Sequence, residues 1–279
     1  MTDMTRTLFH ADNEIYFDLD GLRDYARDVV RRSRLIDEAR SGDKTAAIAL
    51  KIGFWPFVRE FEGAIDQQKL PRRPLQEKFG TARMRETFVE IARALKEMKR
   101  EEGSHAAHWL KDAECLGLGA LGDDRVPGVQ ALISSAYTTD LPRFFSMLAG
   151  TELVAEELSR TLVESRHFTQ LFSRRRWMWG EVHLAPHDHG PSHLEIDLDL
   201  ARAYAEMAPA SAIERLVVGT IDLFGQAATD IEASLVSSVR ACPETHNHRT
   251  ATARGTGHRF GSAPETNRLP FTPPGATAA

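Results

Sequence analysis

Apolar residues recur along this chain at helical spacing, which predicts an all-α protein. The clearest stripe lies within residues 85–118, where apolar positions alternate three and four apart. Its members are Phe88, Ile91, Leu95 and Met98. No strand-like alternation and no internal repeat is visible in the sequence. We therefore expect an all-α bundle of about seven or eight helices, forming one domain over residues 19–240.

Capping residues and helix breakers set the ends of the predicted helices. The segments that they delimit are 19–40, 43–70, 80–118, 128–137, 141–166, 167–183, 193–207 and 212–240. Asp43 is a good N-cap for the second segment, and Pro56 should kink that helix or mark a junction between two shorter ones. Residues 185–192 contain two prolines and a glycine, so they should be irregular. Residues 1–18 should be flexible and residues 241–279 disordered, since the latter lack any periodicity.

Composition and charge exclude several classes of function. Hydrophobic residues make up 42% of the chain and charged residues 27%, which is typical of a globular protein. A net charge of −5 gives no general attraction to nucleic acid or to an anionic membrane. Two cysteines without a CxxC pair favour the reducing cytoplasm. No segment reaches the length of a membrane span, so we expect a cytoplasmic protein.

Two polar residues interrupt the central apolar stripe. If the spacing is continued beyond Met98, the next positions are Glu102, His105 and Trp109. An unpaired charge on a buried stripe costs several kcal/mol unless a partner such as a metal ion neutralises it. The alternatives are a buried Glu–His hydrogen bond, or a helix rotated so that both side chains face solvent.

Two further helices carry a carboxylate on a predicted apolar stripe. In segment 141–166, Glu152 stands among Phe145, Leu148, Ala155 and Leu162, whereas Glu156 and Glu157 fall off that stripe and should be solvated. In segment 43–70, Glu62 falls on the face set by Trp55, Val58 and Ile65. A single carboxylate of this kind is usually a rim residue that reaches solvent. Three carboxylates with one histidine on three helices favour a shared site.

The fourth candidate is the histidine-rich segment 177–193. His183 follows Trp179 by one helical turn, and His187, Asp188, His189 and His193 come after it. A zinc site built from His183 and His187 is one alternative, although no HExxH motif is present. A polar loop whose histidines cap helix ends is the other. Carboxylates and imidazoles that project inward from several helices form the ligand set of non-haem diiron proteins, and they suit iron or manganese.

Four short motifs in this order resemble the haem-oxygenase-like diiron oxidases, and in particular the fatty-acid decarboxylases that make terminal alkenes. The segment E-G-S-H-A-A-H-W at 102–109 is similar to their E-x-x-H helix. W-P-F-V at 55–58 resembles their W-P-V-V-E motif, and T-E-L-V-A-E-E-L-S at 151–159 resembles a helix whose first glutamate is a ligand. Their fourth motif has a tryptophan four residues before a ligand histidine, as Trp179 precedes His183.

The resemblance implies that Glu102, His105, Glu152 and His183 are metal ligands, with two departures from the family pattern. The family's first glutamate stands four residues after the tryptophan, where this chain has Arg59, so Glu62 or Glu60 would have to serve. The family also has H-x-x-x-D-x-x-H. In this chain His183 is followed by His187 and Asp188, and His193 stands three residues later than the second histidine of that pattern. An insertion around 186–191 would explain this and make Asp188 the carboxylate ligand, or His187 would bind instead.

The resemblance further implies an iron-dependent oxidoreductase that uses dioxygen as co-substrate and two Fe(II) ions as cofactor. Its substrate would be a small carboxylate, either a fatty acid or an amino acid. The reaction would be decarboxylation, desaturation, N-oxygenation or C–C cleavage. The resemblance leaves room for an external electron donor and for a homodimer.

Two rival functions remain open at this point. One is a metal-free enzyme of the same fold, similar to pyrroloquinoline quinone synthase or to TenA. A TenA-type thiaminase would need a nucleophilic cysteine, but Cys115 ends the central helix and Cys242 begins the tail, so neither is well placed. The other is a non-catalytic helical protein that binds a partner. Unmetallated stripe residues beside an open apolar groove would favour it.

Overall fold

The computed structural model describes residues 17–172, 177–185, 192–206 and 208–241. Helices and the turns between them make up these ranges, which contain no strand, and the predicted all-α class is confirmed. Residues 1–16 and 242–279 lie outside them, so the predictions of a flexible N-terminus and a disordered tail remain predictions. His187, Asp188 and His189 also lie outside the described residues.

The structure has more and shorter helices than the sequence predicts. In chain order they are α1 (Leu19–Arg32), α2 (Arg34–Arg40), α3 (Lys44–Asp66), α4 (Arg72–Phe79), α5 (Thr81–Cys115), α6 (Pro127–Ala136), α7 (Leu141–Val163), α8 (Arg166–Gln170), α9 (Met178–His183), α10 (His193–Tyr204), α11 (Ala210–Ile231), a π-helical turn (Glu232–Val236) and α12 (Ser237–Ala241). The segment predicted at 19–40 is two helices because Ser33 adopts an extended conformation and its hydroxyl accepts a hydrogen bond from the backbone N–H of Ile36.

Local capping explains where several helices begin. The Asp43 carboxylate accepts hydrogen bonds from the backbone N–H groups of Thr45 and Ala46, as its N-cap position predicts. Helix α3 continues through Pro56 as a single helix, so of the two alternatives predicted at that proline the junction is wrong. Ser192 begins α10 with a capping box that Glu195 completes.

Helix α7 lies at the centre of the bundle and packs against α1, α9, α10 and α11. Its approach to α11 is close, because a Cβ atom added at Gly150 would lie 2.8 Å from the Cβ of Thr220. On the other side of the bundle, α3 packs against α2, α5 and α6. This arrangement directs one face of α5, α7, α9 and α10 toward a common interior.

The predicted apolar stripes of α5 and α7 pack into the core, although Phe88 and Leu95 are only partly buried. Ile91, Met98 and Trp109 are fully buried on α5. Glu157, which the pattern predicts to be solvated, is 1% exposed. Its carboxylate lies 3.3 Å from the guanidinium of Arg27 and 3.7 Å from that of Arg160, so two ion pairs permit its burial.

No helix in the described part of the chain is long and apolar enough to cross a membrane.

Candidate functional site

Glu102 and His105 form a hydrogen-bonded pair inside the bundle. The Glu102 Oε2 and His105 Nδ1 atoms are 3.2 Å apart, and the two side chains are 13% and 14% exposed. Burial raises the pKa of Glu102, because it disfavours the charged carboxylate. Burial also disfavours a charged His105, but the hydrogen bond to Glu102 and its negative charge outweigh this and raise the pKa of His105. The predicted Glu–His pair on α5 therefore faces the interior.

Glu152 on α7 faces the same interior and lies beside a histidine of α10. The Oε1 atom of Glu152 is 3.7 Å from Nδ1 of His193, and Nε2 of His193 is 3.5 Å from the Glu101 carboxylate. Burial alone would raise the pKa of Glu152, but the adjacent imidazoles of His193, His183 and His105 lower it. The sequence places His193 in the histidine-rich segment, as a displaced second histidine of the family pattern, and the predicted ligand set does not include it.

His183 is held as a neutral imidazole with a defined tautomer. Its Nδ1 atom lies 2.7 Å from the backbone oxygen of Trp179, and a carbonyl oxygen can only accept a hydrogen bond. Burial, followed by the nearby charge of His105, lowers the pKa of His183 to about 4. Nδ1 therefore carries the proton at neutral pH, and Nε2 presents a lone pair. The His183 ring centroid lies 4.2 Å from that of His105 and 4.0 Å from that of Trp179.

Asp197 is the most unusual group in the site, and it is not among the ligands predicted from the sequence. It lies one helical turn after His193 on α10 and is completely buried. Neither of its carboxylate oxygens has a hydrogen-bond partner among the residues that the structure describes. Burial, and then the negative charges of Glu152 and Glu102, raise the pKa of Asp197 well above its usual value. His193 and Asp197 have the H-x-x-x-D spacing of the diiron oxidase pattern described above. Leu200 stands where that pattern has its second histidine.

We refer to these six residues as the carboxylate–imidazole cluster. Its members are Glu102 and His105 of α5, Glu152 of α7, His183 of α9, and His193 and Asp197 of α10. Within the described ranges, no three histidine, cysteine, aspartate or glutamate side chains are grouped so that they could hold a metal ion as they stand. The carboxylates of Glu102 and Glu152 are instead directed toward imidazoles.

The glutamates predicted on α3 do not join this cluster. Glu62 is exposed, and its carboxylate lies beside Gly103 of α5. Glu60 accepts hydrogen bonds from Tyr137 and Arg125 at 2.8 and 3.0 Å. Because α3 is buried on most of its circumference, its sequence does not single out one inward stripe. The α3 residues that face the cluster are apolar: Phe57, Val58 and Phe61.

An apolar cavity adjoins the cluster on the side of α3. The small space that contains Glu102, His105, Glu152 and His183 shares the walls formed by Thr151 and Ala155 with a larger space of about 580 Å³, part of which is open to solvent. The lining of this larger apolar cavity is almost entirely hydrocarbon. Among its lining residues are Phe54, Val154, Leu158, Phe224 and Ala228.

A charged pocket, which we call the polar entrance, also adjoins the cluster. It encloses about 1020 Å³, part of which is open to solvent, and Glu152, His183 and His193 are among its lining residues. Arg23, Glu156 and Arg160 also line it, and the Arg23 and Glu156 side chains are 4.0 Å apart. The cluster therefore adjoins both a charged pocket and a hydrocarbon-lined cavity.

Comparison with known proteins identifies the fold. No protein-family model matches this sequence, and no curated protein is similar to it. Among solved structures, the chain is similar to a TenA homologue from Pseudomonas syringae pv. tomato str. DC3000, with a TM-score of 0.58 and 16% identity. The match covers 81% of this chain and 99% of that one. It confirms the predicted haem-oxygenase-like helical fold, and at this identity it shows the fold alone.

Proposed function

We propose that this protein is a non-haem iron oxidase that uses dioxygen to oxidise a small carboxylate with an apolar chain. The observation that carries this proposal is Asp197, a fully buried carboxylate whose two oxygens have no partner in the described structure. Two more carboxylates and three imidazoles belong to the same cluster, and the charges of Glu152 and Glu102 act on Asp197. Leaving so many acidic groups together without a cation is costly, whereas a divalent metal neutralises them.

The chemistry of the donor atoms fits iron. Hard carboxylate oxygens with neutral imidazole nitrogens suit iron or manganese, and the cluster contains no thiolate. Glu102, His105, Glu152, His183, His193 and Asp197 are the residues that would hold it. We propose two Fe(II) ions, because six donors from four helices exceed the needs of one open catalytic ion. When bound, ferrous iron supplies the electron-transfer chemistry by which dioxygen is reduced and the substrate oxidised.

The surrounding residues support an amphiphilic substrate. The apolar cavity would bind an alkyl chain, since its hydrocarbon walls offer water no hydrogen bonds. The substrate carboxylate would remain beside the cluster, near the polar entrance. His105, whose pKa is raised in this setting, can hold or release a proton there. A fatty acid fits these features better than a free amino acid, whose short side chain would leave the apolar cavity unfilled.

Electron balance defines the remaining requirement. Reduction of dioxygen to water takes four electrons, and oxidation of the substrate in one step supplies two. An external donor would supply the other two.

The test is an anaerobic titration of the metal-free protein with Fe(II), followed by rapid mixing with oxygenated buffer and a panel of fatty and amino acids. We expect uptake of about two iron ions per chain and oxygen consumption that depends on a fatty acid. Asp197→Leu should lose iron uptake, while the matched control Glu157→Gln should retain it, because Glu157 is equally buried but lies outside the cluster. No iron uptake and no oxygen consumption would refute the proposal.

The fold comparison favours a second candidate, a metal-free enzyme similar to TenA. It is supported by the likeness to the TenA homologue and by the pairing of Glu102 with His105, which could serve as an acid–base pair without metal. Cys115 ends α5 and does not line the cluster, so it gives this candidate no nucleophile there. If substrate turnover continues after a chelator has removed all metal, this second candidate is favoured over the first.

A further inference from the structure

Lys51 and Asp112 form an ion pair in the interior, behind the carboxylate–imidazole cluster. Lys51 on α3 is 0% exposed and Asp112 on α5 is 1% exposed, and Nζ lies 3.3 Å from Oδ2. Three tryptophans surround the ammonium group. Its Nζ lies 3.7 Å from the ring centroid of Trp109, 5.4 Å from that of Trp177 and 5.9 Å from that of Trp179. The cation is therefore stabilised by one carboxylate and by aromatic faces.

Asp112 also fixes the start of helix α9. Its Oδ1 accepts a hydrogen bond from the backbone N–H of Met178, and its Oδ2 accepts one from that of Trp179, both at 3.1 Å. The N-cap residue of α9, Trp177, makes no side-chain cap of its own. A carboxylate from another helix thus satisfies the first N–H groups of α9.

Trp179 connects Asp112 to the cluster, because it contacts His183 directly. Its backbone oxygen accepts the Nδ1 proton of His183, and its ring lies 4.0 Å from the imidazole. The same ring packs edge-on against Trp109, whose Nε1 donates to the backbone oxygen of Lys51. An unbroken series of contacts therefore joins Lys51 and Asp112 to His183 through Trp179.

Stability alone is a weak reason for such a pair. Replacing a buried ion pair with apolar side chains of similar volume is often neutral or stabilising, because the desolvation of both charges opposes their attraction. Burial of Lys51 is costly enough to lower its pKa to about 8 despite the neighbouring Asp112. The directional hydrogen bonds of Asp112, by contrast, cannot be supplied by hydrocarbon.

We propose that Lys51 and Asp112 are a positioning pair that fixes the ring orientation and the Nδ1–H tautomer of His183, so that its Nε2 lone pair faces the cluster. This role deepens the proposed function, since it assigns two residues that prepare one ligand. Partners that fix the tautomer of a ligand histidine typically change metal affinity 10- to 100-fold when removed.

The test reads the tautomer directly in the metal-free protein. Two-bond ¹H–¹⁵N correlation spectra at pH 7 should assign His183 of the wild type to the neutral Nδ1–H form. Asp112→Leu should convert it to a mixture of tautomers, and Lys51→Met should shift it in the same direction. Asp112→Asn retains one acceptor oxygen and should give an intermediate spectrum. Glu157→Gln, which breaks a buried ion pair away from the cluster, should lower stability and leave His183 unchanged.

Two outcomes decide the proposal. Partial loss of the Nδ1–H form in the Asp112 variants, with Fe(II) dissociation constants raised about 10- to 100-fold, supports it. Wild-type His183 signals in Asp112→Asn and Lys51→Met would overturn it, and this comparison remains decisive if Asp112→Leu fails to fold. A wild-type protein that binds no iron would refute the proposed function instead, because the tautomer measurement needs no metal.

Discussion

Asp197 should destabilise the metal-free protein, and replacing it should stabilise that form while removing iron binding. The side chain is 0% exposed, and its oxygens have no hydrogen-bond partner in the described residues. A buried polar group without a partner costs about 1–3 kcal/mol. Leucine has a similar shape and carries no polar atom. We therefore expect Asp197→Leu to raise the free energy of unfolding of the metal-free protein by about 1–3 kcal/mol at pH 7.

The pH dependence of stability distinguishes the cost of ionising Asp197 from the cost of burying its polar atoms. The pKa of Asp197 is raised in the folded state, so the folded protein retains a proton that the unfolded chain releases above about pH 4. Stability contributed by this group is complete below the unfolded pKa and falls by about 1.4 kcal/mol per pH unit until the folded pKa is passed. The advantage of Asp197→Asn over the wild type should therefore grow with rising pH.

Urea unfolding of chelator-treated protein between pH 4 and pH 8 measures both quantities. Asp199→Leu is the matched control, because Asp199 is also buried on α10 but its charge interacts with Arg202. That variant should be destabilised, since it removes a negative charge that stabilises the buried guanidinium of Arg202. If Asp197→Leu is less stable than the wild type, or if the Asp197→Asn difference does not change with pH, the reasoning about Asp197 is incorrect. Saturating Fe(II) should stabilise the wild type and leave Asp197→Leu unaffected.

Three further predictions follow from the same geometry. Glu102→Ala and His105→Ala should abolish iron binding with little loss of helical circular dichroism, and full metal content in either variant would contradict their assignment as ligands. Ala155→Leu should fill the passage between the cluster and the apolar cavity, so KM should rise for long-chain fatty acids and little for short ones; an equal change for both would argue against this cavity as the chain site. Removing residues 243–279 should leave iron uptake unchanged, because the cluster is built from residues 102–197, and lost uptake would implicate the tail.

The sequence predicts the helical stripe of α5 well because one face of that helix is buried and the other is solvated. Glu102 and His105 interrupt a regular series of apolar residues, so their inward direction follows from spacing alone. Helix α3 offers no such contrast. Phe54, Trp55, Phe57, Phe61 and Ile65 are all buried, and they cover most of its circumference. Packing against α5 and α6 therefore determines which face of α3 meets the cluster. The prediction that Glu62 lies on that face is wrong, because its side chain is exposed.

His193 and Asp197 illustrate a different limit. Asp197 lies among the buried residues Leu194, Leu198 and Ala201, so the rule that identified Glu102 would also have identified it. The family pattern was instead aligned on His183, which directed attention to Asp188. Spacing along one helix reveals that His193 and Asp197 share a face, but which of two histidines begins the pattern depends on how α9 and α10 fold back on α7. That arrangement belongs to the tertiary structure, and the spacing of residues along one helix does not reveal it.

On the proposed function, the order of the spaces in this site determines which carbon atoms can react. A fatty acid whose carboxylate lies at the cluster has its first carbons beside Glu102 and Glu152, while the rest of the chain extends past Ala155 toward Phe224. The terminal methyl group is then far from the donor atoms and surrounded by hydrocarbon. The regiochemistry should accordingly favour change next to the head group, and products oxidised at the methyl end of a long chain should be absent.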